Sequence, residues 1–314
     1  MTTLADLITD PCIGLDTARW QGEAVPFAAC VPLGVRWAVI KWWHAQWRGD
    51  APTQRAAQRQ YDDARAAGLL VGRYAWWLPE QPIAAQVAAW TSTPWADEDL
   101  PLTIDVEEPG SGIVLASLED LVRRVEDATG RAPIIYSGAW WADARLGPVS
   151  EVLRRCPYWH AAYPRKAAKG TAYREAMAEW LAQPAPTLPR IWQGVRPVAW
   201  QLDGTDDASG TGALRLPNGV DVDVDLGDWS ALTALVPAYH RPTDPGLAWS
   251  PTEPPPALQI VPEEQATVHG VLDMVAGPPP APSVTQPGTP TAIRRSSSSS
   301  LRALRPPTEG DPEP

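Results

Sequence analysis

The stretch Leu100-Pro101-Leu102-Thr103-Ile104-Asp105-Val106-Glu107-Glu108-Pro109 constrains this chain more than any other. An apolar run carries two carboxylates, Asp105 and Glu107, and then stops at Pro109-Gly110. Successive side chains of a strand alternate faces, which predicts Asp105 and Glu107 side by side at the carboxyl end of a buried strand, with Val106 packed behind them. Two like charges held that close do not both ionise cheaply, so the pair is expected to share a proton over part of the pH range. A lone D-x-E is more often a strand end with solvated acids. The rest of the chain has to move that balance.

Strand and helix signals alternate along the first 236 residues. A strand is predicted to end at Asp16, and others to cover 35–43, 69–77, 102–106, 132–136, 158–163, 198–202 and 220–226, from their branched and aromatic content. Helices are predicted over 52–68, 83–91, 117–129, 140–146 and 171–181. Ser117, with Asp120 three residues on, is taken as a helix start, and Gly68 and Gly130 as helix ends. Strand and helix at this spacing imply βα units and a largely parallel sheet. Acids and aromatics recur where strands end, which in barrel enzymes is the catalytic rim. The predicted fold class is therefore α/β: a modified (β/α) TIM-like barrel, complete or incomplete, over residues 1–236. Residues 237–314 hold 18 of the 36 prolines and a run of five serines after Arg294-Arg295. That composition buries too little apolar surface to offset chain entropy, so a mostly disordered tail is expected, with one transient helix over 263–276.

Composition excludes several classes. A net charge of -11 argues against a nucleic-acid binder and against attraction to an anionic surface. No apolar run approaches the roughly 18 residues of a membrane span, so no membrane insertion is expected. Residues 1–10 carry two acids, no Lys or Arg and no apolar core of a Sec signal, which predicts synthesis in a host cytoplasm. Cys12, Cys30 and Cys156 are odd in number and far apart, so no disulfide framework and no metal knuckle is expected. The loop 203–207 lacks a calcium ligand pattern. Seventeen Trp against one Phe matter for a different reason: indoles pack a core, stack on sugar faces and donate N–H bonds. The doublets Trp42-Trp43, Trp76-Trp77 and Trp140-Trp141 invite a sugar-platform reading; in a strand doublet one ring points in and one out, and Trp76 is the favoured cleft candidate. His44 and His160 are candidate polar contacts.

A carboxylic acid kept protonated beside a carboxylate is the working pair of glycoside hydrolysis. That reaction needs a proton delivered to a leaving oxygen and negative charge near a developing oxocarbenium ion. Glu107 has the longer side chain of the two.

The order of motifs carries a resemblance. Gly14-Leu15-Asp16 is followed by Gln21-Gly22, and Ile40-Lys41 by Gly72-Arg73-Tyr74-Ala75-Trp76. The Asp105-Val106-Glu107 strand end, Pro133-Ile134-Ile135-Tyr136, the segment Trp159 to Tyr163, Trp200-Gln201, and Val224-Asp225-Leu226-Gly227-Asp228-Trp229 then follow in turn. In this order the chain resembles glycoside hydrolase family 25, the lysozyme family that includes many phage endolysins and bacterial autolysins. The resemblance implies a β/α barrel that hydrolyses the β-1,4 bond between N-acetylmuramic acid and N-acetylglucosamine in peptidoglycan, with no metal and no organic cofactor. It implies Glu107 as general acid/base, Asp105 as its partner, and Asp16 and Asp225 as flanking carboxylates. The physics agrees: Asp105 and surrounding indoles, with Trp76 and Trp200 as candidates, would hold the Glu107 proton, and Asp105 and Asp16 would supply the negative field. Tyr74, Trp76, Tyr136, Tyr163, Trp200, Gln201 and Asp223 become the candidate substrate contacts. Either an enzyme carboxylate or the substrate's N-acetyl group would complete the second step.

Three positions depart from the family pattern. Its polar segment after the lysine is here Lys41-Trp42-Trp43-His44-Ala45-Gln46, its Asn near the end is Gly227, and Asp221, Asp223 and Asp225 alternate so that each is a candidate for one family aspartate. Asp225 is favoured, with Asp223 second, because Trp229 then matches the family's aromatic. The expected setting is a phage endolysin or a virion-associated lysin, a monomer delivered by the virion or with a holin, acting on glycan strands of the bacterial wall. The competing readings are a non-catalytic glycan-binding or phage-tail barrel, and a glycosidase for another polysaccharide.

Overall fold

The computed structural model describes residues 2–43, 51–91, 98–162, 181–203 and 223–237. Eight strands close a barrel in chain order: β1 (Pro11–Thr17), β2 (Val35–Trp43), β3 (Leu70–Trp76), β4 (Thr103–Asp105), β5 (Ile134–Gly138), β6 (Tyr158–Ala161), β7 (Ala199–Asp203) and β8 (Asp223–Asp228). Strands β1 to β7 run parallel, and β8 closes the ring antiparallel to both β7 and β1. The barrel is thus complete. The strand predicted over 220–226 is the one that reverses. Helices α1 (Ala51–Ala66), α2 (Ile83–Thr91), α3 (Leu115–Thr129), α4 (Ala139–Arg145), α5 (Glu151–Arg154) and α6 (Trp229–Leu235) occupy the connections and the end. None of the described helices is long and apolar enough to cross a membrane.

Strand alternation divides the core into two layers, because parallel strands with helices outside are buried on both faces. Outward residues such as Leu15, Ala38, Ile40 and Val71 form one apolar cluster, and Ala75, Ile104, Val106, Ile135 and Tyr158 form another with α2 and α3. Inward residues fill the barrel itself: Cys12, Trp37, Val39, Leu70, Ile134, Tyr136 and Trp159, with Leu232 and Val236 from the end of the chain. Trp159 meets Trp37 edge-on with ring centroids 5.5 Å apart, and Tyr136 likewise at 4.9 Å. These three rings plug the barrel and put a floor under its carboxyl-terminal mouth.

Two glycines make room for that plug. A Cβ on Gly14 would lie 2.0 Å from the Trp37 ring, and one on Gly227 would lie 2.9 Å from Trp37 Nε1 and 2.5 Å from Leu232. Gly227 therefore has a packing reason. Asp228, next in the chain, is fully buried and belongs to the opposite end of the barrel: it caps α6 through Ala231 N–H at 3.1 Å and pairs with Arg196 at 2.6 Å.

Helix α3 begins earlier than predicted. Val114 is its N-cap and makes no side-chain cap bond, so Ser117 lies inside the first turn rather than before it. The start is held by packing instead, since Leu118, Leu121, Val122 and Val125 are all fully buried. Its end matches expectation: Gly130 adopts a left-handed φ of 70° that other residues resist. The helix predicted over 171–181 falls almost entirely outside the described residues, as do the 263–276 helix and the whole Pro-rich segment beyond 237. The three cysteines are free and buried.

Candidate active site

Asp16, Lys41, Tyr74, Asp105, Tyr136 and Gln201 sit on inward positions near the carboxyl ends of β1 to β5 and β7. Asp16 is held from β7, one strand beyond its neighbour β8. Gln201 Nε2 donates to Asp16 Oδ2 at 2.6 Å, and Gln201 Oε1 accepts from the Tyr136 hydroxyl in a short bond. The amide thereby orients a carboxylate on β1 from a phenol on β5. The loop after Asp16 is fixed too. Gln60 of α1 accepts from Thr17 Oγ1 at 2.9 Å and donates to the carbonyls of Ala18 and Gly22 at 2.8 and 2.6 Å. Gln21, of the Gln-Gly pair, accepts from Ala18 N–H at 2.8 Å. That motif is a turn clamp beside the site.

Asp105 is 4% exposed, and its Oδ1 has no hydrogen-bond partner among the described residues. Burial pushes its carboxyl up to about 7, the Lys41 ammonium pulls it down, and the Glu108 carboxylate adds to the rise. Near neutrality this group can hold or release a proton. Lys41 lies over the rings of Trp76 and Tyr74, 4.7 and 5.0 Å from their centroids. Lys41 thus reaches the mouth on an aromatic rail.

Strand β4 ends at Asp105, but the alternation continues one residue further: Val106 N–H bonds the Tyr136 carbonyl at 3.0 Å, and Val106 is buried in the outer cluster. Glu107 follows it, half-buried, and its charge adds to the upward push on the Tyr158 phenol. Glu108 Oε2 accepts from Trp76 Nε1 at 2.6 Å. Sequence reasoning named Glu107 and passed over Glu108. The Glu-Glu doublet was the available signal, but which of two adjacent side chains meets a neighbour past a strand end depends on the turn.

Trp200 is a correction. It is fully buried in the outer cluster with Leu4, Leu15 and Phe27, on the opposite face of β7 from Gln201. Adjacent strand residues cannot both face the mouth, so Trp200 neither lines the site nor surrounds Glu107. His160 is another: it is buried on the outward face against the Tyr158 hydroxyl at 2.8 Å, and burial holds its pKa down at about 4. On β8, backbone register pairs Asp223 with Asp16, and Asp225 with Gly14 and Gln201. Asp223 is therefore level with Asp16 at the mouth and Asp225 one layer deeper. Tyr163, His44 and Asp221 lie outside the described residues.

A closed barrel whose mouth gathers buried carboxylates, a lysine and aromatic rings has the architecture of the (β/α)-barrel class, with acids at the carboxyl ends of its strands. Comparison with known proteins makes this specific. Residues 15–184 match the model of glycosyl hydrolases family 25, more than half of the chain, and the chain belongs to that family. The uncharacterized protein YegX of Escherichia coli K12 is 29% identical over 163 residues, which are 48% of this chain and 56% of that protein. The chain thus matches little more than half the length of that curated relative. The family 25 lysozyme of Aspergillus fumigatus superposes with a TM-score of 0.52 at 21% identity, covering 72% of this chain and 99% of the other. The lysozyme of Streptomyces coelicolor gives 0.52 at 22%, covering 72% and 96%. At that identity the likeness is one of fold.

Proposed function

We propose that this protein is a muramidase, hydrolysing the β-1,4 bond between N-acetylmuramic acid and N-acetylglucosamine in peptidoglycan. The observation that carries this is the carboxylate set at the mouth of a family 25 barrel: Asp16 oriented by Gln201, Asp105 buried with a raised proton affinity, and Glu107 two residues beyond. In this reading Glu107 protonates the leaving oxygen, and Asp16 and Asp105 stabilise the developing positive charge on the sugar. By backbone register, Asp223 and Asp225 of β8 are the candidates for a further carboxylate in this reading. Tyr74 and Trp76 offer aromatic faces to the glycan. The reading extends to a monomeric phage lysin acting on a host wall, which expression in a susceptible host with and without a holin would test through lysis on holin induction alone.

The deciding experiment is release of reducing ends from purified peptidoglycan by the wild type and by Glu107→Gln. Loss of the acid is expected to lower activity about 10²- to 10⁴-fold with the fold intact. A wild type that binds walls of several chemotypes and releases no ends would sink the reading and favour a non-catalytic barrel. Ends released from a different polysaccharide alone would move the substrate, not the chemistry.

A further inference from the structure

Glu108 is held more firmly than a solvated glutamate past a strand end needs to be. Its side chain accepts the Trp76 indole N–H at 2.6 Å, a charge-assisted bond of the stronger kind. Its main-chain carbonyl accepts Trp141 Nε1–H at 2.8 Å and lies 3.5 Å from Arg145 Nη1. Arg145 in turn is 5% exposed, donates from Nε to the Gly112 carbonyl at 2.7 Å and stacks over the Trp141 ring at 5.3 Å. Helix α4 thus pins the backbone of the β4–α3 loop, while β3 catches the side chain. Ordering a long, charged side chain at both ends costs conformational entropy, so the contacts that hold it must outweigh that cost.

We propose that Glu108 is a positioning residue of the site: it clamps the Trp76 indole and holds a second negative charge beside Asp105. This rests on the muramidase reading and adds to it a residue outside the Asp105-Val106-Glu107 motif. The clamp fixes the indole edge and Lys41 lies over one ring face, so the opposite face is the platform this proposal gives to a sugar. The charge acts on Asp105, whose proton affinity burial has already raised and Glu108 raises further. Among the described residues, the other charged and titratable groups on inward positions at this mouth are Lys41 on β2, Tyr74 on β3, Tyr136 on β5 and Asp16 on β1, with Glu107 following in the same segment. Of these, Lys41 opposes Glu108 directly.

Two variants separate the roles. Glu108→Gln keeps an oxygen for the indole N–H and removes the charge; Glu108→Ala removes both. The measurement is kcat and KM on purified peptidoglycan across pH. Glu108→Gln is expected to move the limb set by Asp105 about 0.5 to 1 pH unit lower, with KM near wild type. Glu108→Ala is expected to show the same move and a KM about tenfold higher, from the loosened indole. Wild-type profiles and KM in both variants would overturn the proposal. So would a 10²- to 10⁴-fold loss in Glu108→Gln while Glu107→Gln stays active, since Glu108 would then be the acid itself. If the wild type releases no ends, the muramidase reading fails by itself. Carboxyl NMR titration of Asp105 in wild type and Glu108→Gln then decides: a lower midpoint supports the charge role, and an unchanged midpoint overturns it.

Discussion

Gln201 on β7 donates its amide N–H to the carboxylate of Asp16 on β1 at 2.6 Å, across 185 residues of chain. The same amide accepts from Tyr136, and exchanging its oxygen and nitrogen would set an amide oxygen against the Asp16 carboxylate, which can only accept. Gln201→Leu is expected to lower kcat/KM on peptidoglycan about 10- to 100-fold by letting Asp16 drift, with Tyr136→Phe showing a smaller loss. Equal activity in all three proteins would show that the orientation of Asp16 does not matter.

Asp105 has a folded-state pKa near 7, above that of an unfolded aspartate near 3.9. The folded state therefore binds more protons between about pH 4 and pH 7, and stability falls as pH rises through that window. Asp105→Asn removes the buried charge. It is expected to raise Tm by several degrees at pH 8, to change it little at pH 4, and to abolish activity. Thermal melts at the two pH values check this; a variant less stable at pH 8 would contradict it.

Arg73 and Glu98 lie 2.9 Å apart, both about 6% exposed, on the outer side of β3. Burial pushes Glu98 up to about 8, while Arg73 and Arg131 pull it down. Arg73→Met leaves that acid buried without its partner and is expected to cost about 3–5 kcal/mol in urea unfolding at pH 9, where the wild-type carboxyl is ionised. Loss of the arginine raises the Glu98 proton affinity further, so the deficit should be larger at pH 9 than at pH 5. Adding Glu98→Gln should recover part of it.

Gly14 has no room for a methyl group, because the Trp37 ring lies where its Cβ would be. Gly14→Ala is expected to destabilise by about 1–3 kcal/mol through overpacking. The second change Trp37→Leu should relieve the clash and replace it with a cavity cost, so the two effects should not add. Additive losses in the double variant would show that the glycine is needed for another reason.

Much of this site was legible from local pattern. The strand carrying Asp105, the inward placing of Asp16, Tyr74, Tyr136 and Gln201, and the glycine end of α3 all follow from periods of two and from turn chemistry. Trp200 was legible as well: alternation alone forbids it from sharing a face with Gln201, and the pull of an aromatic residue in a known motif outweighed that rule. Glu108 was not legible. Past Val106 the chain leaves the strand, and side-chain direction then depends on Trp141 and Arg145, more than thirty residues away. The start of α3 was missed because burial of its apolar face, not a capping side chain, sets where it begins.

The sequence by itself determined the order of strands and helices, and which residues of each strand face inward, because both are set by contacts within a few residues. Only the tertiary structure decided that β8 turns antiparallel and closes the ring. It alone brought the ends of β1, β5 and β7 together around one carboxylate. Strand closure is a cooperative, long-range event, so the proton affinity of Asp105 and the aim of Asp16 belong to the closed barrel and to no segment of it.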